Sequence, residues 1–248
     1  NLFFDDAEIL FDLKDVRFKN LVIKSGIYDG SLNGEGYFDV GVYPPRMVFD
    51  FFLNEITPKK LESLLEYFSN VEGKFQAQLR YQNQPTQKID GHMVVNKGYL
   101  HDFDFFSWLA DFFVIPSLAK IDFDEFSADF IVDDEVSRLE SIYLDYKGVS
   151  LQGYYRLFVN DLVSSKLSLG LSRRILETSP KFKSLLKLLG KEFSALDFNF
   201  QLSGSYNELN FKWLDSDFKE KLKERIPDFM ERGIERKIKA ITESVPKR

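Results

Sequence analysis

Met47 to Phe68 reads MVFDFFLNEITPKKLESLLEYF, and the change of rhythm inside it decides how the chain is read. Phe49, Phe51 and Leu53 recur at every second position, which places them on one face of a strand. At Thr57-Pro58 the spacing changes to a helical one carried by Leu61, Leu64, Leu65 and Phe68. Thr57 is suited to cap a helix, and Pro58 to its first position, where a missing N–H costs no intrahelical bond.

A second switch of the same kind follows. Leu167, Leu169 and Leu171 alternate, and Ser179-Pro180 then opens a helix carrying Phe182, Leu185, Leu186 and Leu189, with Gly190 as its stop. Upstream of each switch stands a Gly-aromatic-aromatic group, Gly36-Tyr37-Phe38 and Gly153-Tyr154-Tyr155. The pattern predicts two loosely repeated strand-helix units, about 12–69 and 122–190, without a fixed period.

Around these units the chain alternates through most of its length. Val16 to Val40 reads as short antiparallel strands with turns at Ser25-Gly26 and Asn33-Gly34, and Pro44-Pro45 closes that stretch. Phe75, Ala77, Leu79 and Tyr81 alternate with polar residues, and Ile89 to Val95 returns after a polar loop. Phe126, Ala128, Phe130 and Val132 begin a second meander that turns at Asp133-Asp134, Lys147-Gly148 and Asn160-Asp161. Leu196, Phe198, Phe200 and Leu202 are answered across Gly204 to Asn207 by Leu209, Phe211 and Trp213, the clearest hairpin in the sequence. Ala7 to Val16 mixes acids with Ile9, Leu10, Phe11 and Leu13 and shows no single period.

Two helices stand out from this background. Phe105, Phe106, Trp108, Leu109, Phe112 and Phe113 are apolar nearly all round, so this helix is expected to be buried, with Asp102 or Asp104 as its cap. From residue 215 an amphipathic pattern runs through Phe218, Leu222, Ile226, Phe229, Ile234 and Ile238, interrupted by Pro227 and Gly233. The expected fold is therefore α+β: a large curved antiparallel β-sheet, groove-like, with short interspersed helices over residues 1–214, followed at 215–248 by a long C-terminal amphipathic helix and polar tail.

Composition narrows the functional classes. With 44% hydrophobic and 29% charged residues the chain is a folding one, and 26 Phe among 248 residues call for an aromatic core or an apolar ligand surface. A net charge of −6 with no clustered basic stripe argues against nucleic acid as a partner. The absence of cysteine removes disulfides, thiol nucleophiles and Cys-based zinc sites. No run of about 18 apolar residues is present, so no segment reads as a membrane-spanning helix. The start at Asn1 reads as an excised piece of a longer polypeptide.

Catalytic patterns are missing from the sequence. His92 and His101 lack metal-ligand spacing, and Asp102/Asp104 and Asp122/Asp124 lack the pattern of a calcium loop and read as caps of helices and turns. There is no nucleophile elbow, phosphate loop or dinucleotide fingerprint. No catalytic residue, metal or cofactor is assigned, and the protein is expected not to be an enzyme. What remains is an apolar sheet face, whose candidate lipid-binding residues are Phe49, Phe51, Leu53, Phe75, Leu79, Phe126, Phe130, Leu167, Leu169, Phe198, Phe200, Leu202, Phe211 and Trp213, chosen for sharing strand faces. The alternative is a structural or protein-interaction module that pairs through exposed sheet edges.

The runs Asp12-Leu13-Lys14-Asp15-Val16-Arg17-Phe18 and Gly26-Ile27-Tyr28-Asp29-Gly30-Ser31-Leu32-Asn33-Gly34-Glu35-Gly36, followed by Phe49 to Leu53, Ile56-Thr57 and Leu61-Glu62-Ser63-Leu64-Leu65, resemble the C-terminal region of AsmA-like envelope proteins of the AsmA/TamB type. The closing hairpin from Leu202-Ser203-Gly204-Ser205 to Trp213 is similar too. The resemblance implies a groove-like sheet with an apolar interior, in the periplasm or cell envelope, anchored to the inner membrane by a segment outside this chain. It also implies involvement in phospholipid transport between inner and outer membranes or in outer-membrane biogenesis. The partners so implied are a phospholipid or other acyl-chain ligand and the remainder of a longer membrane-anchored polypeptide.

Overall fold

Among the described residues, alternating apolar and polar residues pair into one sheet of twelve antiparallel strands, each hydrogen-bonded to its neighbours in sequence. The computed structural model describes residues 4–61, 70–189, 194–205 and 208–214. The strands are β1 (Asp5–Lys14), β2 (Arg17–Ile27), β3 (Gly30–Asp39), β4 (Arg46–Ile56), β5 (Val71–Gln82), β6 (Lys88–Leu100), β7 (Ile121–Asp133), β8 (Val136–Tyr146), β9 (Val149–Phe158), β10 (Leu162–Ser172), β11 (Ala195–Ser205) and β12 (Glu208–Trp213). A meander of this kind needs only short connections between neighbours, and tight turns after β1, β2, β7, β8 and β9 supply them. The turns expected at Ser25-Gly26 and Asn33-Gly34 are corrected: both pairs lie inside the ladder of β2 and β3, and the chain reverses instead at Tyr28-Asp29, both in the left-handed region.

The helices interrupt the meander at one end of the sheet. α1 (Asp104–Phe113) joins β6 to β7, and α2 (Arg173–Leu176) and α3 (Pro180–Leu189) join β10 to β11. A 3₁₀ turn, Pro58–Leu61, follows β4. The switch at Thr57-Pro58 therefore leaves the strand where expected, but the helical residues Leu64, Leu65 and Phe68 lie outside the described residues, as do Gly190 and the amphipathic segment from 215 onward.

α1 and α3 pack on the sheet and on each other. The Phe113 ring lies 4.8 Å from Phe198 of β11 and 5.6 Å from Phe182 of α3, and Trp108 lies 4.5 Å from Phe211 of β12. α1 is only about 15 Å long, and in a flat sheet β6 and β12 would stand about 29 Å apart. A helix tethered to β6 and β7 that stacks on β11 and β12 is accommodated by a sheet curled around it. Local irregularities assist the bend: pairing shifts occur in β4 near Glu55, in β5 near Gly73 and in β8 near Ser141, all three with positive φ.

The two helices are also tied through their ends. α1 closes on Val114 in the left-handed region, φ 56°, with the Ile115 N–H donating to the Ala110 carbonyl. The Ser179 hydroxyl donates to the Phe113 carbonyl and accepts from the Lys181 N–H, and the Lys181 ammonium donates to the Phe112 carbonyl. Ser179 thus caps α3 while satisfying one carbonyl at the end of α1, and Lys181 satisfies another.

Two expectations about caps need correction. The residue before α1 is Phe103, with no side-chain cap, and Asp104 is already helical. Asp102 bonds the His101 ring instead. Asp122 and Asp124 cap nothing; they are exposed residues of β7.

Candidate functional site

Strand register converts the alternating pattern into rows that run across the sheet. One row joins Ile9, Ile23, Gly34, Phe51, Leu79, Gly91, Phe130, Leu139, Tyr155, Ser165, Leu202 and Phe211, one residue from each strand. It carries no charge. The next row away from the helices joins Leu21, Gly36, Phe49, Tyr81, Ile89, Val132, Ser137, Leu157, Val163, Gly204 and Leu209, and it carries none either. On the opposite face the corresponding row holds Glu35, Asp50, Arg80, Asp90, Arg138 and Arg156.

Cover over the apolar face thins with distance from the helices. Nearest them, Ala77, Met93, Ala128, Ile142 and Phe200 are buried. In the first charge-free row Phe51, Leu79, Phe130, Leu139, Tyr155 and Phe211 are half-buried, and Ser165 and Leu202 of β10 and β11 are buried. In the second, Val132 and Leu209 are exposed at 38% and 41%, while Val163 of β10 stays buried, so cover thins over β4 to β9 and persists over β10. A sheet packed uniformly on its apolar side would not show this gradient, because burial of such side chains is what holds the layer together.

The fourteen candidate lining residues divide along the same line. Phe75, Leu169, Phe200 and Leu202 are buried in the core. Leu53, Leu79, Phe126, Phe130, Leu167, Phe198 and Phe211 are partly buried at its margin. Phe49 and Phe51 are half-buried, with rings stacked on each other at 5.5 Å. Trp213 pairs with Phe200 in the register, and its side chain lies outside the described residues. The open part of the face therefore centres on Phe49, Phe51, Leu79 and Phe130. Tyr81, Ile89, Val132, Leu139, Leu157 and Leu209 join them there. Sequence spacing placed these six in strands, but only the register shows that they line the same rows.

Glycine contributes to the shape of this face. Phe51 covers Gly34, where an added Cβ would lie 2.6 Å from a ring carbon. Gly91, between Leu79 and Phe130, has no room for a side chain at all: a Cβ would meet the Gln78 carbonyl oxygen at 2.1 Å.

The carboxylates held by ion pairs and hydrogen bonds lie on the other face or at the ends. His92 bonds Asp129 across β6 and β7 at 2.8 Å, and that hydrogen bond holds the Asp129 carboxyl below its ordinary range. Two backbone N–H groups, of Glu135 and Val136, do the same for Asp133 with help from Arg138. Asp29 is lowered by its hydrogen bonds from Lys60 and Thr57. Each of these pairs holds strands or turns together at the surface. Among the described residues no group of three or more His, Asp and Glu is placed to hold a metal ion, and no helix is long and apolar enough to cross a membrane.

Comparison with protein-family models finds no match, and no curated protein or solved structure matches the chain.

Proposed function

We propose that this chain is a non-catalytic, lipid-accommodating segment of an AsmA-like envelope protein, and that it holds the acyl chains of a phospholipid along the uncovered rows of its apolar face. In this reading it serves phospholipid transport between inner and outer membranes, or outer-membrane biogenesis, from a position in the periplasm. The remainder of a longer polypeptide supplies the anchor to the inner membrane. The observation that carries the reading is the pair of charge-free rows whose burial falls off away from α1 over β4 to β9.

The physical requirement is modest. An acyl chain gains about 0.8 kcal/mol for each methylene removed from water, so eight or so methylenes against Phe49, Phe51, Leu79 and Phe130 hold a tail without any specific polar contact. Binding of this kind tolerates different headgroups and tail lengths. Charged groups on the opposite face keep that side in water, so a ligand is directed to one side of the sheet only.

Native mass spectrometry of the chain expressed in bacteria tests this. Phospholipid is expected to co-purify with the unaltered chain and to be lost from a Leu79→Glu/Phe130→Glu variant that retains its β-sheet circular dichroism. Unaltered protein free of lipid, which also fails to take up phospholipid from detergent micelles, would overturn the reading.

A further inference from the structure

The first strand breaks the pattern of the other eleven. β1 is paired on one side only, and all ten of its residues are exposed. Ile9, Leu10, Phe11 and Leu13 are each more than half exposed, and they occupy both faces of the strand. Ile9 continues a charge-free row, whereas Leu10 pairs with Val22 on the face that carries charges elsewhere. Edge strands are ordinarily blunted by lysine, proline, bulges or an overlying element. β1 has one lysine, at its end, and no proline. Its two pairing irregularities, at Asp5/Glu8 and Leu10/Asp12, leave Glu8 to Leu10 and Asp12 to Lys14 regular. The opposite edge is treated differently: β12 has six residues, and Trp108 of α1 packs against its Phe211.

Charge identifies what fits. β1 carries Asp5, Asp6, Glu8 and Asp12 against Lys14 alone, and β2 answers with Lys24 opposite Glu8 and Lys19 opposite Asp12. On the free side of β1 the same carboxylates have no such answer among the described residues. A second copy of β1 would set acids against acids, and like charges across strands repel.

We infer that the free edge of β1 is a strand-addition site for an extended polypeptide segment of basic, apolar-alternating composition, chemically like β2, with Lys or Arg beside Glu8 and Asp12 and aliphatic residues beside Ile9 and Leu13. Main-chain hydrogen bonds supply the attachment and the flanking side chains select the partner. The added strand extends the charge-free row that ends at Ile9 by one position and covers the apolar side chains that β1 leaves in water. The inference is independent of lipid binding, because its readout is a peptide and not an acyl chain.

The probe is a labelled peptide with the β2 sequence, RFKNLVIKSGI, presented to the full chain and followed by fluorescence anisotropy and by amide hydrogen exchange. Binding is expected to slow exchange in β1 while leaving β2 protected, and to weaken as salt is raised. A peptide with Glu at its three basic positions is expected to bind about tenfold more weakly, as two cross-strand pairs change from attraction to repulsion. An Ile9→Lys/Leu13→Lys variant, altered only at exposed positions, is expected to lose the unmodified peptide. A Glu8→Lys/Asp12→Lys variant is expected to reverse the preference and take the acidic peptide. The inference is overturned if neither peptide slows exchange in β1, if both bind equally, if β2 loses protection because the peptide displaces it, or if sedimentation shows the chain pairing with itself through β1.

Discussion

Replacing Phe113 with alanine and, separately, Phe51 with alanine compares the covered and the open parts of the same sheet face. Phe113 is fully buried, with the rings of Phe112, Phe182 and Phe198 within 5.6 Å and its carbonyl bonded to Ser179. Truncation there removes a whole buried ring and leaves a cavity between α1, α3 and β11, at a cost of about 4 kcal/mol. Phe51 is half-buried, and its ring rests on Gly34 and Phe49 and outside the core cluster. Losing about half of one side chain's transfer free energy, with no enclosed cavity, costs about 1 kcal/mol. At this chain length the two values correspond to falls in Tm of about 8–16 °C and about 2–4 °C. Delipidated protein followed by urea and thermal unfolding measures both. Equal losses at the two positions would refute the reasoning, because they would mean that the face is covered as well at Phe51 as at Phe113.

Four further outcomes are expected. Val114→Gly should stabilise by about 0.5–1 kcal/mol in urea unfolding, since a β-branched residue 43% exposed at φ 56° gives up left-handed strain and loses little packing. Ser179→Ala should cost about 1–3 kcal/mol by leaving the Phe113 carbonyl without its donor, and hydrogen exchange should show α3 opening before the sheet. Gly91→Ala should destabilise by about 1–3 kcal/mol through contact with the Gln78 backbone, whereas Gly34→Ala, which meets only the Phe51 ring, should cost less. Asp129 has its folded-state pKa lowered by His92, so its contribution to stability is present above the ordinary value of 3.8 and is lost as pH falls through the lowered one. The pair is exposed and the effect small, but Asp129→Asn should reduce the acid-induced fall in Tm below pH 4 measured at low salt.

The sheet was legible because period-2 alternation dictates a strand with one buried face, and because Pro44-Pro45, Lys147-Gly148 and Asn160-Asp161 fall between strands, whereas Ser25-Gly26 and Asn33-Gly34, which read locally as turns, are paired inside β2 and β3. The helix at Ser179-Pro180 was legible for a local reason as well: a hydroxyl before proline caps a helix, and Ser179 does so. β1 was not, since its apolar residues occupy both faces and an edge strand imposes no single period. The cap of α1 was misread because an aspartate near a helix start has competitors, here the ring of His101 for Asp102.

For the candidate site, membership of strands could be read from the sequence but depth could not. Phe49 and Phe75 have the same alternating context, yet one is half-buried and the other is buried in the core beneath the helices. That difference depends on where α1 and α3 lie over the sheet, through contacts such as Phe113 with Phe198 that join residues far apart in the chain. The rows themselves depend on register, which bulges at Glu55, Gly73 and Ser141 shift in ways that no local pattern announces.

Photocrosslinking with a phospholipid that carries a diazirine near the end of one acyl chain tests the central claim most directly, because it reports where a tail lies. The account predicts adducts concentrated on the uncovered rows, at Phe49, Phe51, Tyr81, Val132 and Leu157, and few on the charged row that holds Glu35, Asp50 and Arg80. Adducts spread equally over both faces, or confined to the helices, would contradict it.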